Sequence, residues 1–287
     1  MKWQGRRQSS NVEDRRGQSS GRRASGGGPG KGMIGGGLGL VILIIIMLLG
    51  GNPGDFLNPS SVNNPNTPYV ATAEDEELAE FISVVLADTE DVWTEVLGEE
   101  GIKYVEPTLV LFSDSVESAC GVAGSSTGPF YCPADQKVYI DLSFYEELRT
   151  KFKAPGDFAM AYVLAHEIGH HVQKLLGVSD QVQDLRGKLS EKEYNQYLIR
   201  LELQADYLAG VWAHHVQGKG YLEEGDLEEA LNAASAVGDD RIQKQAQGYV
   251  VPDSFTHGTS EQRQRWFYKG YKTGNLSQWN TFEAKDL

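Results

Sequence analysis

Apolar positions fall at helical spacing through most of the chain and alternate or cluster only in three short early runs. Thr72 with Asp75 forms a capping pattern, and acids crowd the next turn at Glu74–Glu77. Leu78, Phe81, Ile82, Val85, Leu86, Val92, Trp93 and Val96 then keep one face as far as Gly98, which predicts a long amphipathic helix. Thr108–Phe112, Phe130–Cys132 and Lys137–Asp141 read as short strands, the last two around a Pro-Ala-Asp-Gln turn. Ser143 with Glu146 can cap a short helix through Phe152. A helix follows from Phe158, with Asp157 as its cap and Gly177 as its stop. Ser190 with Glu193 opens a helix running to Gln217, Asp226 with Glu229 one over Leu227–Val237, and Thr259 or Ser260 one over Glu261–Tyr271. No internal repeat is visible. Strands early and helices late predict an α+β domain over residues 72–287, with a small sheet and a mostly helical C-terminal half.

The first seventy residues follow another pattern. Residues 1–31 are rich in Arg, Ser, Gly and Gln and are expected to be disordered, since they hold too little apolar surface to bury. Gly32–Gly54 carries no charge and has a dense apolar heart at Leu38–Leu49, just long enough with its flanks to span a bilayer. Eight basic residues precede it and Asp55 is the first charge after it. The positive-inside rule then predicts a transmembrane helix acting as a signal anchor in the cell inner membrane. The basic tail would be cytoplasmic and the body extracytoplasmic, in the periplasm, with the lipid bilayer as a partner. A cleaved signal peptide is the rival reading, opposed by the absence of an A-x-A-like site in LLGGNPGDF. Residues 55–71, rich in Pro and Asn, read as a linker.

Composition narrows the picture. The net charge is −14 although the N-terminal segment is basic, so the body is strongly acidic and nucleic acid is excluded as a partner. Two cysteines, Cys120 and Cys132, rule out a four-cysteine zinc site. In an oxidising compartment the favoured reading is a disulfide closing the glycine-rich loop between them, with a catalytic thiol as the alternative.

The chemistry gathers in Val163–Leu176, VLAHEIGHHVQKLL. His166-Glu167-Ile168-Gly169-His170 fits H-E-x-x-H, whose histidines sit a turn apart on one helix face and can reach one ion. Glu167 lies beside that ion, placed to take a proton from water. The bland alternative is a core helix that carries two histidines by chance. A catalytic zinc needs a third protein ligand. In the helix from Ser190, Leu198, Leu201, Ala205, Leu208, Ala209 and Trp212 form an apolar stripe, and Glu202 falls within it. A carboxylate aimed at a core needs a cation or strong donor, so Glu202 is the candidate, with snorkelling or an arginine partner as the alternative. Asp206, one turn on, suits an acceptor for the free N–H of a histidine ligand, or else is a solvated surface charge.

These segments, HEIGHH followed by RLELQADYLAG, resemble the gluzincin arrangement of H-E-x-x-H followed by E-x-x-x-D. More closely, the chain resembles the putative neutral zinc metallopeptidase family of bacterial membrane-anchored proteins. The likeness runs through CGVAGSSTGPFYCPADQKVYIDLSFY, HEIGHHVQ, LELQADYLAG and HGTSEQRQRWFYKG. The resemblance implies a zincin-like fold, a bound Zn²⁺, and metalloendopeptidase activity on a protein or peptide substrate. His257, in SFTHGTSEQ, is the candidate oxyanion donor, with a capping or surface histidine as the alternative. A substrate peptide could pair with the edge of Val138–Asp141 or of Phe130–Cys132; sequence does not say which edge is free. His171, His214 and His215 match no ligand spacing and read as surface or packing residues, His171 with a supporting place beside the ligands as its other option. Two further functions compete: a non-proteolytic scaffold on a zincin frame, and a zinc amidase acting on cell-wall peptides. Glu167 argues against the first, since a structural ion needs no base beside it.

Overall fold

The computed structural model describes residues 1–18 and 69–287. A four-stranded sheet runs in the order β1 (Val12–Asp14), β2 (Thr108–Phe112), β6 (Lys137–Asp141), β5 (Phe130–Cys132). The first three strands are parallel and β5 is antiparallel to β6. Of the two strands whose edges sequence left open, β6 is internal and β5 is terminal. Strand alternation gives the sheet two buried faces. Leu109, Leu111, Tyr131, Val138 and Ile140 point to the helices, while Val110, Phe112, Phe130, Cys132 and Tyr139 pack under a hairpin of β3 (Ser115–Ser118) and β4 (Gly121–Gly124). Cys120, in the turn of that hairpin, is disulfide-bonded to Cys132 at the end of β5.

The helices are α1 (Ala73–Glu99), α2 (Ser143–Thr150), α3 (Asp157–Leu175), α4 (Val178–Gln183), α5 (Glu191–Gly218), α6 (Asp226–Ala236), α7 (Asp239–Gln247) and α8 (Ser260–Thr273). Thr72–Asp75, Ser190–Glu193 and Thr259–Gln262 form reciprocal capping boxes at α1, α5 and α8. Three starts differ from expectation; α6 begins at Asp226 after Gly225 with no side-chain cap, so Asp226 and Glu229 do not cap it. Helix α3 begins after Gly156, and its orphan Phe158 N–H is met by the Glu229 carboxylate of α6, so Asp157 is free to pair elsewhere. Helix α2 has no side-chain cap; Asp141, at the end of β6, takes the Ser143 N–H instead.

Helix α3 is buried nearly all round and sits between α5, α6, α1 and the sheet. Its approach to α5 is close because Gly169 has no side chain: a Cβ there would lie 2.9 Å from the Ala205 carbonyl oxygen. Helices α5 and α8 meet even more closely, since a Cβ on Gly210 would overlap the Phe267 carbonyl and one on Gly270 the Tyr207 carbonyl.

The N-terminal segment corrects the expected topology. Residues 1–18 are packed on the body rather than disordered. β1 pairs with β2, Trp3 packs edge-on against Phe81, and Arg6, Arg7 and Arg16 pair with Asp88, Glu90, Asp91 and Glu76 on α1. The composition of the tail says little about order when its arginines have an acidic helix to lie on. The expected transmembrane helix at Gly32–Gly54 falls outside the described residues, and among the described residues no helix is long and apolar enough to cross a membrane. Gly17 and Tyr69, on either side of that stretch, lie against each other, with a Cβ on Gly17 coming within 3.0 Å of the Tyr69 Cβ. One crossing between them would set about 30 Å of hydrocarbon across that contact. A single-pass signal anchor with a cytoplasmic tail and periplasmic body therefore does not hold. The inner-membrane location and the bilayer as partner, which rested on it, fall with it.

Candidate metal centre

Helices α3 and α5 cross where the first carries H-E-x-x-H and the second carries Glu202. His166 Nε2 lies 3.1 Å from Glu202 Oε2, and His170 Nε2 lies 3.5 Å from Glu202 Oε1. Ligand atoms of the three side chains all fall within 4.8 Å of one another. A tetrahedral zinc ion with bonds of about 2.0–2.2 Å holds its ligand atoms roughly 3.3–3.6 Å apart, so the spacing fits.

The far sides of the rings are also arranged. His166 Nδ1 is 2.9 Å from Asp206 Oδ1, and His170 Nδ1 is 2.9 Å from Gln173 Oε1. Gln173 is itself oriented, its amide donating to the Leu201 carbonyl and to Gln204. With each Nδ1–H donated outward, each Nε2 lone pair turns inward, as a metal ligand requires. This donor set of two imidazoles and a carboxylate fits Zn²⁺.

Asp206 is the hub beneath the site. It is fully buried and accepts from Tyr162 Oη, from His166 Nδ1, and from Arg263 Nε at 2.8 Å and Nη2 at 3.0 Å. Burial opposes its charge, but Arg263 and His166 hold its carboxyl below the usual range. Asp206 in turn raises His166 to about 9 against the effect of burial, in the absence of an ion. Burial likewise works against Glu202, yet His170, His257 and His166 together keep it well below the usual carboxylate range. Glu167 is half-buried beside the trio, and burial pushes it up. The neighbouring imidazoles and the main-chain N–H of Tyr131 in β5 work the other way.

His257 belongs to the same neighbourhood, for Glu202 is among the charges that act on it. Burial lowers it, but Asp239 and Glu202 raise it overall, and its Nδ1 lies 3.2 Å from Asp239 Oδ1. The other oxygen of Asp239 collects the backbone N–H groups of Thr256, His257 and Gly258, which fixes the loop. With Nδ1 donating to Asp239, the Nε2 of His257 is a donor when the ring is protonated, the form that Asp239 and Glu202 favour. His214 and His215 sit away from the site and bond to the Tyr271 and Gly274 carbonyls.

Sequence reading missed Tyr162, Gln173 and Arg263. The first lies four residues before His166 and the second three after His170, so helical spacing could have flagged both. Arg263 offered a weaker signal: a buried acid needs a cation, but nothing local says which arginine supplies it.

An H-E-x-x-H helix with a carboxylate brought from a second helix carries the donor set of zinc peptidases. The chain belongs to the family described as putative neutral zinc metallopeptidase, which matches residues 1–282. It is 50% identical over 285 residues to the Escherichia coli K12 protein named "Uncharacterized protein YpfJ", covering 98% of this chain and 99% of that one. It is 46% identical over 196 residues to the Mycobacterium tuberculosis H37Rv protein named "Uncharacterized protein Rv2575", covering 64% and 65% of the two chains. No solved structure matches.

Proposed function

We propose that the protein is a zinc-dependent endopeptidase. The carrying observation is the convergence of His166, His170 and Glu202 at ion-ligand spacing, with Glu167 half-buried beside them. His166 and His170 through Nε2, and Glu202 through its carboxylate, would hold the ion. When bound, zinc polarises the scissile carbonyl and lowers the pKa of water at the open position. Glu167 takes the proton of the attacking water and passes it to the leaving amine. Burial suits it to that exchange, since it brings the carboxyl closer to neutrality. His257, held by Asp239 and protonated, donates from Nε2 to the developing oxyanion. Asp206 and Gln173 keep the two imidazoles in the ligating tautomer. The substrate lies extended along β5, the terminal strand of the sheet.

The test is a peptide library offered to the zinc-loaded full chain and to Glu167→Gln. Loss of cleavage with zinc content intact supports the assignment. Equal cleavage by both proteins removes the mechanism.

A further inference from the structure

His171 follows the second motif histidine and plays no part in the mechanism above. It is fully buried, and both ring nitrogens are spoken for by different parts of the chain. Nδ1 lies 3.0 Å from Tyr131 Oη, and Nε2 lies 2.6 Å from the Val105 carbonyl oxygen. Carbonyl oxygen only accepts, so Nε2 carries the proton and Nδ1 accepts from the tyrosine hydroxyl. The rings of Tyr104 and Tyr131 meet the imidazole edge-on at 5.7 and 5.4 Å.

The position on the helix gives this meaning. His171 is four residues after Glu167, one turn along the face of α3 that looks at the sheet. His171 takes the hydroxyl of Tyr131 in β5. Tyr131 of the terminal strand is thus held at its side-chain tip from α3, one turn along the helix from Glu167.

We propose that His171 is a positioning residue that fixes β5 against α3, setting the height and register at which an extended substrate backbone lies over Glu167. The inference rests on the peptidase reading for its consequence, though the grip itself can be read without activity. Binding along a strand is made in ground state and transition state alike, so loosening the strand raises KM more than it lowers kcat.

The variants separate the two ring bonds. Asn places an acceptor where Nδ1 stands and keeps the Tyr131 bond; Gln reaches the Nε2 position and keeps the Val105 bond; Tyr131→Phe removes the hydroxyl alone. With the zinc-loaded full chain, the best-cleaved library peptide should show KM raised about tenfold in His171→Gln and Tyr131→Phe, with kcat within about twofold. His171→Asn should stay near wild type, and the double variant His171→Gln/Tyr131→Phe should be no worse than either single. Amide hydrogen exchange over Phe130–Cys132 should quicken in the same variants and be spared in His171→Asn. A merely structural histidine would rank the variants by melting temperature instead. Unchanged exchange and KM in Tyr131→Phe, or His171→Asn as impaired as His171→Gln, overturns the proposal. Absence of wild-type cleavage would count against the peptidase reading, leaving the exchange measurement to decide the grip.

Discussion

Gly169→Ala should weaken zinc binding although Gly169 touches no ligand atom. A Cβ at this position would lie 2.9 Å from the Ala205 carbonyl oxygen, 3.1 Å from its Cα and 3.3 Å from its Cβ. Ordinary contact between such atoms begins near 3.4 Å, so α3 and α5 must separate locally by about 0.5 Å. The displaced segments carry His170 on one side and Glu202 and Asp206 on the other. Metal–ligand distances tolerate only about 0.2 Å, so the opening exceeds what the ion can absorb. We expect zinc affinity to fall about 10- to 100-fold, the range seen when supporting residues of a metal site are disturbed. Stability should change less, because overpacking costs about 1–3 kcal/mol while replacing a helical glycine by alanine returns about 1 kcal/mol. Chelator competition gives the affinity, and urea denaturation of the metal-free protein gives the stability. Gly98→Ala is the control: it lies in α1 with no atom within 4 Å of the added Cβ, and should leave zinc binding unchanged. Wild-type zinc affinity in Gly169→Ala would refute the reasoning, since the helices would then have moved without moving the ligands.

Arg263→Met strips Asp206 of its only guanidinium partner among the described residues, leaving Tyr162 and His166 on a buried carboxylate. Losing one half of a buried pair costs about 3–5 kcal/mol, and urea denaturation should show it, with zinc affinity lowered as well. Asp88, buried with one oxygen unpartnered, has its carboxyl raised by burial from 3.8 to about 6, against the pull of Arg6. The native state therefore holds a proton that the unfolded chain has released, and stability falls as pH rises from about 4 to 6, by up to ~3 kcal/mol. Asp88→Asn should lack this slope, so the difference in unfolding free energy between the two proteins should grow in its favour across that window and then level off. Replacing Cys120 and Cys132 by serine opens a loop of sequence separation 12 and should cost about 3 kcal/mol, read as a lower urea midpoint.

Much of the body was legible because its signals are local. Capping boxes at Thr72 and Ser190 mark the starts of α1 and α5, and the apolar stripe of α5 singles out Glu202 as an acid facing inward. The α+β body follows from the same periodicities. What escaped is long-range. Glu229 caps α3 from 71 residues away, and Arg263 reaches Asp206 across 57, with nothing in either neighbourhood to announce it. The N-terminal segment misled for a related reason. Judged alone, its arginines and glycines describe a chain too polar to fold, whereas its partners are the acids of α1, which sequence proximity does not reveal. The three-residue β1 is too short to carry a periodicity at all.

The contact of α5 and α8 through Gly210 and Gly270 bears on how a substrate could be admitted. Where backbone meets backbone, no side chain is left to swing aside, and these two helices carry Glu202, Asp206 and Arg263 as one rigid block. Any opening that admits a substrate must then leave that block intact and be taken up elsewhere around the ligands.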